Sequence, residues 1–143
     1  MSGNIKNENF EKGFTMVELV IVIAIMGIVG AMLVPHYFNL SNKARVTTDV
    51  SSIITIQNQM EVYIVEFNKS PGIVAEDIIK ELVDVGYLKK FNINSDGKLS
   101  LQTSGAEVIY DKTIEEFRLK VPKKYYNLCK NTDNVKNWLI EIP

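Results

Sequence analysis

Between Phe14 and Val34 the chain shows no alternation of polar and apolar positions: 21 residues carry a single charge, Glu18, and a single hydroxyl, Thr15. At about 1.5 Å per residue a helix of that length spans roughly 30 Å, the thickness of a bilayer's hydrocarbon core. The richness in Val and Ile would also suit a strand, but strands rarely exceed about ten residues. Length therefore selects a membrane-crossing helix. The run holds twelve Phe, Leu, Ile or Val residues. Each favours insertion by roughly 0.3–0.6 kcal/mol, against about 3 kcal/mol opposing it for an acid at the bilayer centre. Glu18 lies only about 6 Å along the axis from Phe14, near an interface where that penalty falls. A carboxylate kept in such surroundings is a functional candidate by default.

After the run, Pro35 lacks a backbone donor and crowds the carbonyl of Ala31, which predicts a kink without requiring the helix to stop. From Val46 the pattern becomes amphipathic. Val50, Ile53, Ile54, Ile56, Met60, Tyr63, Ile64 and Phe67 recur mostly at three- and four-residue intervals, with Asp49, Gln57, Asn58, Glu61 and Glu66 between them. Asn68-Lys69-Ser70-Pro71-Gly72 ends it. The two halves together predict one rod of about 55 residues and roughly 80 Å. A shorter helix is expected over 75–85, capped by Gly86 in the left-handed region. Leu99 and Leu101 alternate with Ser100 and Gln102 as in a half-buried strand, followed by strands at 108–110 and 117–121. Trp138 to Ile142 suits a further strand, and Tyr125 to Lys130 a helical turn. The expected fold class is α+β: a long amino-terminal helix packed on a small antiparallel sheet.

With 143 residues there is room for one modest domain and an appendage. A net charge of −1 favours neither nucleic acid nor an acidic partner for the chain as a whole. One cysteine, Cys129, and one histidine, His36, exclude a disulfide framework and the usual multi-ligand zinc cluster. A cleavable secretory signal is the rival reading of the apolar run. Such signals have cores of about 7–15 residues ending at a small-residue site, and Met32-Leu33-Val34-Pro35 offers none. Positive charge flanks both ends, Lys6 and Lys12 before and Lys43 and Arg45 after. The short amino-terminal segment is placed in the cytoplasm because the remainder carries all the signals of a folded domain.

Lys12-Gly13 followed by Phe14-Thr15-Met16-Val17-Glu18-Leu19 and the long apolar run resembles the class III signal of type IV pilins and pseudopilins. The match covers residues 12–35 closely and the rest by architecture. The resemblance implies that a membrane prepilin peptidase removes a leader, residues 1–13, by cutting after Gly13, and that the new amino terminus on Phe14 is N-methylated. It implies that Glu18 pairs with the Phe14 amine of a neighbouring copy, and that Gly27 and Pro35 bound a segment that loosens on assembly. Under this reading residues 14–34 are the membrane and filament-core half of the helix, 35–68 its amphipathic half and 69–143 the head. The partners are other copies or related pilins, the peptidase, the inner-membrane assembly machinery and, before assembly, the bilayer. The chain departs from the family in a leader holding two acids beside its two lysines, and in lacking a second cysteine for a carboxy-terminal disulfide loop.

Other candidates are weighed against duller readings. Asn92, Asn94, Asp96 and Gly97 resemble the start of a calcium loop, but position twelve falls on Thr103, which favours a plain hairpin turn. Between Lys120 and Lys136 stand five lysines and one acid, with Tyr125 and Tyr126 among them. Lys123, Lys124, Lys130 and Lys136 are thus candidate nucleic-acid contacts, against a solvated surface over core aromatics. Residues 61–116 carry eleven acids and six lysines, so opposed patches could pair between neighbours. Cys129 suits a buried small hydrophobe better than an intermolecular disulfide. Gly27 and Gly30 fall one residue short of the small-xxx-small spacing. No catalytic constellation and no cofactor motif stands out. The expected function is a structural prepilin subunit of a type IV pilus or similar filament. The alternatives are a type II secretion or competence (DNA-uptake) pseudopilin, and a single-pass anchored protein that never polymerises. Such filaments serve adhesion, motility, secretion or DNA uptake.

Overall fold

A computed structural model describes residues 13–89, 93, 94, 96 and 98–143. Its longest element is α1, Met16–Phe67, which takes in both the apolar run and the amphipathic stretch and holds Pro35 within it. It ends where expected, with Asn68 in the left-handed region at φ 50°. The chain divides into two compact units, Met1–Tyr37 and Phe38–Pro143. In the first, every described residue is exposed except Gly30, which is half-buried.

The second unit is built on the carboxy-terminal part of α1. Val46, Val50, Ile53, Ile56, Met60 and Tyr63 form its buried stripe, spaced three or four residues apart so that they share one face. Against that stripe lies α2, Ala75–Asp84, burying Ala75, Ile78, Ile79 and Leu82. Gly86 follows at φ 94°, a conformation open to glycine at little steric penalty. Its N–H bonds the Val83 carbonyl while Leu88 N–H bonds that of Leu82, closing the helix end.

The sheet consists of β1 (Glu107–Asp111), β2 (Glu116–Pro122) and β3 (Leu139–Ile142) in the order β1-β2-β3. β2 is central, and its burial alternates strictly: Phe117, Leu119 and Val121 point into the core and their neighbours do not. Tyr110 faces Phe117 across the β1–β2 pair, with ring centroids 5.2 Å apart. Two short helices, α3 (Lys123–Cys129) and α4 (Asp133–Lys136), separate β2 from β3.

The sheet departs from the expected all-antiparallel arrangement. β1 and β2 are antiparallel but β2 and β3 are parallel, pairing Leu119 with Leu139 and Val121 with Glu141. A parallel neighbour needs a crossover of a dozen or more residues, and the segment holding α3 and α4 supplies it. The strand expected from the alternation at 99–102 does not form. Leu99 makes only an isolated bridge with Ile93, and the reason lies on α1. The backbone N–H groups of Gln102 and Thr103 are bound by the Asp49 carboxylate, each at 2.8 Å, and so are lost to any ladder. Asp49 is buried by these contacts, at 2% exposure, and Gln57, which accepts from the Phe117 N–H, is buried at 6%, although both stand among the polar positions of the helix pattern.

Candidate functional site

The first turn of α1 is organised by its own side chains. Thr15 stands at the N-cap position and Glu18 three residues on. The Thr15 backbone N–H donates to Glu18 Oε2 at 2.8 Å, its hydroxyl donates to the same oxygen at 3.0 Å, and Glu18 N–H donates to Thr15 Oγ1 at 3.2 Å. This reciprocal arrangement is a capping box, which satisfies donors that the first turn otherwise leaves orphaned. The Thr15-x-x-Glu18 spacing announces it in the sequence, yet reading Glu18 as a buried acid in search of a charge partner passes over Thr15. The negative side chain also stands at the positive end of the helix dipole. Glu18 is thus held by hydrogen bonds within its own chain.

Beyond this cap, α1 presents apolar side chains on all sides. Phe14 is 88% exposed, and Ile21, Ile25, Ile28, Met32 and Leu33 are all more than half exposed. An 18-residue window of the helix is long and apolar enough to cross a membrane, with none of it buried within the chain. A helix apolar all round needs lipid or other protein against it. Neither Gly27 nor Gly30 has a side chain or distant backbone within reach of an added Cβ. Within this chain, then, the glycines serve no close approach.

The basic residues of the carboxy-terminal region are spread over α3, α4 and their ends, and much of their charge is met locally. Lys136 Nζ bonds Asp133 at 2.8 Å, Lys123 stands 3.9 Å from Glu141, and Lys124 lies over the Tyr125 ring, 5.8 Å from its centroid. Lys130 is exposed at the end of α3. Cys129 is a buried free thiol. Burial pushes it above its ordinary pKa, with the Lys43 ammonium pulling partly back. It packs as a small core residue in the hydrophobic cluster.

Of the calcium-like run, Asn92 and Gly97 lie outside the described residues. Asn94 N–H donates to the Lys98 carbonyl at 2.8 Å beside the Ile93–Leu99 bridge, the pattern of a hairpin turn. Among the described residues no group of three or more His, Cys, Asp or Glu side chains is arranged to hold a metal. Gly13 is the first residue described, and the leader before it lies outside the described residues.

Comparison with known proteins follows the same division. Residues 9–34 match the family profile of the prokaryotic N-terminal methylation motif. A fimbrial protein of Pseudomonas aeruginosa is 31% identical over 106 residues, which is 73% of this chain and 65% of that protein. The type II secretion system core protein G of Aeromonas hydrophila is 33% identical over 61 residues, 43% of each chain. The type IV major fimbrial protein FimA of Dichelobacter nodosus is 32% identical over 63 residues, 44% of this chain and 39% of that one. The chain thus spans slightly under two thirds of the Pseudomonas protein's length and less of the other two. No solved structure matches it with significance.

Proposed function

Because the chain belongs to the type IV pilin and pseudopilin family, we propose that it is a structural subunit, not an enzyme, made as a membrane-anchored precursor and built into a pilus-like filament. The precursor is cut after Gly13 by a prepilin peptidase, and the amine released on Phe14 is methylated. The observation that carries this reading is the amino-terminal part of α1: apolar and exposed on every side, with one capped carboxylate in its first turn.

In the bilayer the exposed side chains face lipid tails, which are as apolar as they are, so helices gain little from meeting there. Once drawn out, the same surface has only the equivalent surface of other copies to bury it against. Glu18 then has a second role. Cleavage places a positive amine on Phe14, and the carboxylate of one copy pairs with the amine of the next. An ion pair in an apolar core is tolerated where a lone ion is not, so the pairing sets the register of docking. Gly27, which costs a helix about 1 kcal/mol relative to alanine, and Pro35 give the intervening segment room to loosen during that step.

A pilus is favoured over a secretion pseudopilus by how far the similarity reaches. The Pseudomonas fimbrial protein aligns over 73% of this chain, and so into the head, whereas the Aeromonas secretion protein aligns over 43%. The expected locations are the cytoplasmic membrane before assembly and the cell surface after it. Intact-mass measurement of the protein recovered from producing cells tests the processing step. A mature chain starting at methylated Phe14 is expected; a chain that keeps its first thirteen residues where the peptidase is present overturns it.

A further inference from the structure

Two surfaces of the Phe38–Pro143 unit carry opposite charge and stand at opposite ends of its stretch of α1. The first is an apolar face with an acidic rim. Asn58, Glu61, Val62, Val65 and Glu66 line one shallow hollow, and Glu66, Phe67, Val85, Gly86 and Tyr87 line the next, so Glu66 joins them into one surface. Val65 is 84% exposed, and Val62, Phe67 and Val85 are more than 40% exposed. Apolar side chains grouped in this way inside a charged rim mark a contact surface more often than the same side chains scattered singly. Asp84 precedes Val85, and Gln57 Nε2 bridges the Glu61 carboxylate to the Glu115 carbonyl, which brings a fourth acidic residue to the same end. Lys69 is held over the Tyr63 ring and lies outside the lining of either hollow.

The second surface is α3 with its flanks. It carries Lys120, Lys123, Lys124 and Lys130 beside the half-buried rings of Tyr125 and Tyr126, with Glu141 3.9 Å from Lys123 as the acid among them, so the face keeps a positive balance. β2 runs from Phe117, whose N–H donates to Gln57 on α1, to Pro122, which lies beside Gly105, two residues after the Thr103 that Asp49 binds; α3 follows Pro122 and so starts by the Asp49 end of this unit. Glu66 is 17 residues further along α1, about 26 Å at the helical rise.

We infer that the acid-rimmed face of Val62 and Val65 on one copy receives the lysine- and tyrosine-bearing α3 face of a second copy of this chain. The inference rests on the filament reading and adds a contact between heads to it. A symmetric pairing would set each face against itself and oppose like charges, which is penalised. Joining unlike faces that lie apart along the helix gives a head-to-tail contact, which forms a ring where its rotation closes and a fibre where it does not; the filament reading takes the second. Attraction between exposed charges is screened by salt, so high ionic strength weakens the contact.

The test uses the full chain in cells that assemble it, with Val65→Cys and Lys124→Cys introduced together and mild oxidation applied to the sheared filaments. The contact predicts a ladder of disulfide-linked multimers from the double variant and no ladder from either single variant. Reversing one face, by Glu61→Lys with Glu66→Lys or by Lys123→Glu with Lys124→Glu, is expected to lower filament yield, and combining the two reversals to restore it. Filaments without a ladder overturn the contact and leave the filament reading standing. Dimers from Val65→Cys alone, showing like faces in contact, overturn it as well. Failure of the unsubstituted chain to form filaments overturns both. Normal assembly of the Lys123→Glu, Lys124→Glu chain with lost retardation of duplex DNA assigns the basic face to nucleic acid and overturns the contact.

Discussion

One helix meets two different environments. From Met16 to Leu40 it exposes nearly everything it carries, and from Val46 to Tyr63 it buries one side chain every three or four residues. Composition and arrangement both separate the two stretches: ten of the eighteen residues from Val46 to Tyr63 are polar, against three of the twenty-five from Met16 to Leu40. Both are rich in Val and Ile, but only the second leaves regular polar gaps, and those gaps fix which face packs. The uniform stretch has no preferred face of its own, so its packing is left to whatever surrounds it. The polar atoms follow the same contrast. Glu18 is capped by its nearest neighbours in sequence, whereas Asp49 and Gln57 are satisfied by backbone more than fifty residues away.

That difference can be broken experimentally, and the largest effects belong to the folded unit. Phe117→Ala removes a fully buried ring from the central strand and is expected to destabilise the unit by about 3–5 kcal/mol. Ile25→Ala, at a position 55% exposed, should leave the same denaturation midpoint unchanged. Asp49→Ala strands two backbone donors, the buried Thr103 N–H and the part-buried Gln102 N–H. At about 1–3 kcal/mol for the buried donor and less for the other, a loss of about 2–4 kcal/mol is expected, with faster amide exchange at residues 102 and 103. Denaturant unfolding of the full chain in detergent reads all three. Equal effects of the phenylalanine and isoleucine changes would erase the contrast.

A smaller effect is expected at the cap. Thr15→Ala removes the side-chain half of the capping box, and about 1 kcal/mol of helix stability at that end, without touching the folded unit. Amide exchange confined to the first turn is the readout. The smallest is a pH effect. The Tyr87 phenol is held above its ordinary pKa chiefly by the hydrogen bond it donates to Glu66. A raised value stabilises the fold below the phenol's ordinary pKa, and the contribution is lost as pH climbs through the folded value. Thermal melts should therefore lose stability above about pH 10 in the parent chain, by more than in Tyr87→Phe.

Much of this was legible in the sequence, because its strongest signals are local. The length of the apolar run, the turn cluster at Asn68, the left-handed Gly86 and the alternation at Phe117, Leu119 and Val121 each depend on residues close together in the chain. What escaped depends on residues far apart. Asp49 looked like an ordinary surface acid, and only the fold brings it under residues 102 and 103. There it claims the donors that the alternation at Leu99 and Leu101 seemed to reserve for a strand. The parallel pairing of β3 was equally hidden, since a four-residue strand with one buried position does not reveal its direction. At the candidate site, Glu18 stood out through its hydrophobic setting, but its partner Thr15 did not, although the capping spacing was in plain view.

The capping box also sharpens the central claim, because it shows that Glu18 already has a role before any neighbour arrives. Glu18→Gln separates the two roles: glutamine also serves at the third position of a capping box, accepting from Thr15 through its carbonyl, but it carries no charge. The decisive measurement is filament yield from cells producing the Glu18→Gln chain, with membrane insertion and cleavage followed in the same cells. The account predicts an inserted, cleaved subunit that fails to enter filaments. Filaments at the parent's yield would contradict it.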